Sequence, residues 1–138
     1  MSKLRCIVYF SSATRLLTEA DIEALLVDSR DWNMEHGVSG VLLHHDGSFM
    51  QYIEGSDYDL RKTFKRITDS SQHMSIVIVL DQFIDVRIFP DWVMGYSKLV
   101  KSELIKLNTI SWAESKDGMN DSKGIQLLKY FWDNFNKP

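Results

Sequence analysis

Between two strand-like runs, Val38-Ser39-Gly40-Val41-Leu42-Leu43 and Ser48-Phe49-Met50-Gln51-Tyr52-Ile53, stands His44-His45-Asp46-Gly47. An Asp-Gly pair favours the positive-φ turn that reverses a chain within two residues, and its twist matches that of paired strands. The two runs are therefore predicted to be antiparallel neighbours. Whatever else the chain does, it must build outward from a hairpin.

The segments on either side sort by period. Leu4-Arg5-Cys6-Ile7-Val8-Tyr9-Phe10 is rich in β-branched and aromatic residues and stops at Ser11-Ser12, which reads as a buried strand followed by a loop. Thr18-Glu19-Ala20-Asp21 has capping-box spacing, Ile22, Leu25 and Leu26 then recur at helical period, and Gly37 ends that helix. From Ser56 to about Thr68, Leu60, Phe64 and Ile67 share one face while Arg61, Lys62 and Lys65 turn to solvent, giving a second surface helix. The β-branched run from Ile76 to Leu80 suits a central strand covered on at least one face. Strand, helix, strand, strand, helix, strand is the order of an α+β, ferredoxin-like βαββαβ sandwich, with two helices on one face of an antiparallel sheet.

A fifth strand is expected after Pro90, around Trp92 to Tyr96. Beyond it, Leu104, Leu107, Asn108 and Ser111 form a mixed helical face. A turn through Lys116-Asp117-Gly118 leads to the stripe Leu128, Phe131, Trp132 and Phe135. We read residues 1–97 as the core and 98–138 as a C-terminal helical cap of the same domain, covering the sheet's other face or a partner chain. The 138 residues, 44% of them hydrophobic, suffice for one compact domain, and a second is not expected.

A net charge of -3 provides no whole-molecule basic field for nucleic acid or an anionic membrane, which leaves small ligands and proteins as partner classes. The lone Cys6 excludes an internal disulfide and a Cys-based zinc site, and its apolar setting reads as a buried thiol. The apolar run from Cys6 to Phe10 is too short for a signal-peptide core, and no stretch reaches the roughly 20 apolar residues of a membrane span. The expectation is a soluble protein of the reducing cytoplasm.

Residues that break the local pattern are the candidates for function. Asn33 follows Leu26 by seven positions and Ile22 by eleven, so the helical period turns its amide toward the sheet, with Ser29 one turn before it. Gln51 alternates in phase with Phe49 and Ile53, and Tyr9 with Ile7, so both also face the core. An unpartnered buried amide costs about 1–3 kcal/mol. Either a ligand with donors and acceptors along a planar edge satisfies these groups, or they bond to backbone and to one another.

The histidines read as structural. His44 and His45 sit at a hairpin tip with side chains on opposite faces, a poor arrangement for a metal, and His36 ends a helix. No paired carboxylates, nucleophile triad, Gly-rich phosphate loop or helical His-Glu-x-x-His marks an enzyme.

Taken together, Ile7-Val8-Tyr9-Phe10-Ser11, Ser29-Arg30-Asp31-Trp32-Asn33, Gly37-Val38-Ser39-Gly40-Val41-Leu42, Phe49-Met50-Gln51-Tyr52-Ile53-Glu54-Gly55 and Phe89-Pro90-Asp91-Trp92-Val93-Met94 resemble the BLUF family of flavin-binding blue-light sensors. The resemblance runs from about Leu4 to Tyr96. It implies a ferredoxin-like fold with a helical cap, and a flavin, usually FAD with FMN as the other option, held between the two helices. By the same resemblance, Tyr9 is the electron and proton donor, Gln51 bridges it to the flavin edge, and Asn33 holds the ring's carbonyl and imide. Arg66 matches a position that reaches the other carbonyl, and Ser29, His73, Trp92 and Met94 match positions that line the pocket or switch near the glutamine.

The chain departs from the family pattern at two points. Trp32 stands where a polar or imidazole side chain is common, and Asp69-Ser70-Ser71-Gln72-His73 lacks the usual Asp-Pro-Arg before its histidine. Contacts to the ring and the flavin tail are therefore expected to differ. The expected function is a photoreceptor rather than an enzyme. With no room left for a cyclase or phosphodiesterase domain, its output would pass to a downstream signalling protein, with a homo-oligomer as the default state. The alternatives are a flavin-free interaction module on the same fold and an acylphosphatase-like enzyme, the latter disfavoured because no phosphate loop follows the first strand.

Overall fold

The structure, a computed structural model, describes residues 3–71, 73–112 and 122–135, with side chains throughout except at 73 and 131–135. The elements are β1 (Leu4–Ala13), α1 (Glu19–His36), β2 (Ser39–His45), β3 (Ser48–Ser56), α2 (Asp57–Asp69), β4 (His73–Ile84), β5 (Gly95–Lys98), α3 (Lys101–Thr109) and α4 (Lys123–Phe135). Their sheet runs in the order β4-β1-β3-β2-β5.

The local signals act as their chemistry dictates. Thr18 accepts from Asp21 N while the Asp21 carboxylate accepts from Thr18 N, closing the capping box of α1. Gly37 ends the helix in the left-handed region at φ 64°. Asp46 and Gly47 both take positive φ, 44° and 82°, and join β2 to β3. Ser56 caps α2 by accepting from Asp59 N.

Three expectations require correction. The run from Ile76 to Leu80 belongs to an edge strand, because β4 pairs with β1 alone among the described strands, and Val77 and Ile78 are exposed. An unbroken apolar run reports β-propensity without reporting position in the sheet. The fifth strand starts at Gly95, three residues later than expected, and pairs in parallel with β2, from Val41 opposite Gly95 to His44 opposite Lys98. Trp92 therefore lies in the turn that leads to the strand. In the cap, Leu104 and Leu107 are buried on α3, but that helix ends at Thr109, so Ser111 lies beyond it. The expected turn at Lys116-Asp117-Gly118 and the side chains of Phe131, Trp132 and Phe135 lie outside the described residues.

The sheet separates two apolar cores. On one face α1 and α2 bury Ile7, Tyr9, Ile22, Leu26, Leu42, Phe49, Ile53 and Leu60 together with Met94. On the other, Cys6, Val8, Val41, Leu43, Met50 and Tyr52 pack against Leu104, Leu107, Trp112, Ile125 and Leu128 of the cap. Adjacent residues of β1 and β3 thus serve opposite cores, as strand alternation requires.

Candidate functional site

In the β1–β3 ladder Tyr9 stands directly opposite Gln51, so both side chains point to the helix-covered face. The Tyr9 phenol, fully buried, donates to Gln51 Oε1. The other end of that amide is also used: Gln51 Nε2 donates to Met94 Sδ at 3.6 Å. Burial pushes the Tyr9 phenol well above its ordinary range, so it stays protonated at any physiological pH. The edge of Phe64 on α2 closes over its ring, with centroids 5.7 Å apart.

α1 supplies the second set of polar groups. Asn33 is 2% exposed, and its Nδ2 donates to Val93 O at 2.5 Å. Arg30 Nε donates to Met94 O at 3.0 Å, and Gly40 N on β2 donates to Trp92 O at 2.9 Å. The segment entering β5 is therefore held to α1 and β2 by backbone carbonyls. A methyl group at Gly40 would lie 2.2 Å from Tyr52 O, so only glycine allows this approach of β2 to β3.

Between α1 and α2 a cleft opens onto these groups. Leu25, Ser29, Trp32 and Asn33 line one side, Thr63, Arg66 and Ile67 the other, and Leu42, Gln51 and Met94 the floor. Arg66 is fastened at the rim: Nη2 donates to Asp28 at 2.5 Å, and the guanidinium lies 4.6 Å from the Trp32 ring centre. Trp32 in turn donates from Nε1 to Thr63 Oγ1 at 2.9 Å and stacks on His36.

A family model described as sensors of blue light using FAD matches residues 4–95. The chain belongs to the BLUF family. Among solved structures it is similar to BlrB, a BLUF protein in its dark state, at 31% identity and a TM-score of 0.69, covering 78% of this chain and 80% of that one. It is also similar to BlsA in its ground state, at 25% identity and a TM-score of 0.68, covering 94% and 85%. A curated relative, the photoactivated adenylate cyclase subunit beta of Euglena gracilis, is 27% identical over 92 residues, which are 66% of this chain but 11% of that protein. The chain thus spans only a small part of the curated relatives it matches.

BLUF domains bind FAD, and the cleft's chemistry fits a flavin. Apolar walls from Leu25, Leu42 and Ile67 suit a planar ring, and amides at Asn33 and Gln51 suit its alternating donors and acceptors. The structure brings together Tyr9, Ser29, Asn33, Gln51, Arg66 and Met94 around or beneath the cleft. It does not bring Trp92 there, because that side chain packs against the cap-side core. The backbone of His73 pairs with Ala13, and its side chain lies outside the described residues.

Trp32, marked in the sequence by its departure from the family pattern, forms a wall and anchors Arg66. Two further contributors escaped the sequence reading: Thr63 braces Trp32, and Arg30 holds the Met94 carbonyl. Each acts across a contact between elements, and no periodicity reports that. His44 is a packing residue: its Nε2 accepts from Gly47 N at 3.1 Å, and its ring lies against Phe49. Among the described residues, no group of three or more His, Cys, Asp or Glu is placed to hold a metal, and no helix is long and apolar enough to cross a membrane.

Proposed function

We propose that this BLUF protein signals by rearranging the hydrogen bonds of Gln51, and that it carries out no net reaction. The observation that carries this reading is the unbroken series Tyr9 O–H to Gln51 Oε1 and Gln51 Nε2 to Met94 Sδ at the floor of the cleft. When bound, the flavin supplies blue-light absorption and, in its excited state, a strong oxidant. Tyr9 is suited to give up an electron and then its phenolic proton, because burial holds the phenol neutral until oxidation makes it acidic. Gln51 Oε1 is the acceptor in place for that proton. Return of the charge leaves the amide reoriented or tautomerised, and exchange of its donor and acceptor ends changes what it offers Tyr9, the flavin edge and Met94. Asn33, Ser29 and Arg66 orient the ring, His73 assists in holding the flavin, and Trp92 takes part if the turn before β5 moves.

FAD is the assigned cofactor, with FMN retained as an option because the tail-binding segment after α2 lacks the family's usual residues. Output passes by contact to a downstream signalling protein in the cytoplasm, with the receptor itself a homo-oligomer. Exposed Ile105 and Tyr130 on the cap helices support a contact surface there. The test is the visible spectrum of the purified protein in the dark and just after blue light. A reversible red shift of the flavin band without bleaching is expected. A protein that stays colourless after reconstitution with FAD would overturn the reading and leave a flavin-free interaction module.

A further inference from the structure

On the sheet face turned away from the cleft, the Glu54 carboxylate is fully buried. It accepts four hydrogen bonds. Tyr52 O–H at 2.8 Å and Ile88 N at 2.7 Å bond to Oε1, and Ser39 Oγ at 2.9 Å and Phe89 N at 2.8 Å bond to Oε2. A carboxylate has about four lone-pair sites, and all are used here. A cation stands one hydrogen bond removed: Arg87 donates to Ser39 Oγ at 3.0 Å and to Gly37 O at 2.7 Å. Burying a charge at the price of such desolvation is sustained only where its acceptors are filled, so this carboxylate binds the 88–89 backbone firmly.

The location of this clamp gives it a consequence. Residues 85–94 join β4 to β5, and Glu54 fixes them at 88–89. Five residues after Phe89 comes Met94, whose sulfur receives Gln51 Nε2 in the helix-side core, while Trp92 packs in the cap-side core. A regular extended strand would put residues two apart on one face, but the turn closed by Trp92 N donating to Phe89 O at 3.2 Å sends Trp92 and Met94 to opposite cores, so the way the segment leaves Phe89 decides which of them meets Gln51. We infer that Glu54 is a positioning residue: by latching Ile88 and Phe89 to β3, it sets Met94 rather than Trp92 as the neighbour of Gln51.

The inference rests on the proposed role of Gln51 for its signalling consequence, but its first test needs no light. In protein as purified, labelled with methyl-13C methionine and kept dark, the Met94 resonance is assigned by its loss in Met94→Leu. Glu54→Gln, which keeps the shape and replaces two acceptor sites with donors, is expected to move or split that resonance. Ser39→Ala, which removes one donor, should do the same to a smaller extent and serves if the first variant fails to fold. An unmoved Met94 resonance in the folded variant or variants overturns the inference.

The second test is dark recovery after blue light, expected to change about tenfold in Glu54→Gln, a loss on the scale of one charge-assisted hydrogen bond. In a Met94→Ala background the same substitution should add nothing. A merely structural role would give independent, additive effects and would overturn the latch. Absence of any light response in the parent protein would instead sink the photoreceptor reading, with the dark resonance still deciding the latch.

Discussion

Gln51 is tied at both ends of its amide, and this makes its substitution informative. Gln51→Leu is expected to retain flavin, because the apolar walls remain, but to show no light-induced red shift in the visible spectrum. It leaves the Tyr9 hydroxyl buried without its acceptor, so a stability loss of about 1–3 kcal/mol should appear in denaturant titration. Tyr9→Phe keeps the ring packed against Phe64 and should equally abolish the red shift, since no phenol remains to donate. His44 gives a pH signature. Burial, with help from Lys98, lowers its pKa below the ordinary 6.5, so the unfolded chain binds the proton more readily. Stability should therefore fall as pH drops below about 6.5 toward the depressed value, and His44→Gln should remove that part of the fall in thermal melts. At this scale Asn33, Gln51 and Tyr9 were legible as inward-facing because each breaks a clear period. Glu54 was not, since an acidic residue beside Gly55 reads as a solvated strand end until its four donors are seen.

The elements themselves were legible where local chemistry decides them, as in the capping box of α1 and the Asp46-Gly47 turn. Strand neighbours were less so. β4 carries the composition of an interior strand and lies at the edge, and β5 begins only after the turn has carried Trp92 away from the cleft. Neither fact has a local cause, because both depend on which strands the whole fold brings side by side. The cap offers a sharp test at this scale. Ser122 caps α4 by accepting from Ile125 N, and Gly124 packs on Trp112 so closely that a Cβ would lie 2.3 Å from the indole. Gly124→Ala should cost about 1–3 kcal/mol by overpacking, despite the better helix propensity of alanine, and lower the melting temperature measurably. An unchanged melting temperature would mean that α4 does not dock on Trp112.

For the molecule as a whole, the order of elements was enough to read the α+β sandwich, whereas the parallel pairing of β5 required the structure. We propose that the cap is integral to the domain, because Leu104, Leu107, Trp112, Ile125 and Leu128 complete a core whose other half is the sheet. Removal of residues 99–138 should expose Val8, Val41, Met50 and Tyr52, and the shortened chain should bind a hydrophobic dye that the parent does not bind and should aggregate. The strands of the sheet are also unequally held. β1 and β3 are each paired along both sides, whereas β5 is four residues long and joins β2 alone. Amide protons of β5 are therefore expected to exchange with solvent through local openings far less costly than global unfolding, while those of β1 and β3 wait for the whole domain to open. The strand that leaves the glutamine's neighbourhood for the cap is thus the one the native state can most readily release and recover.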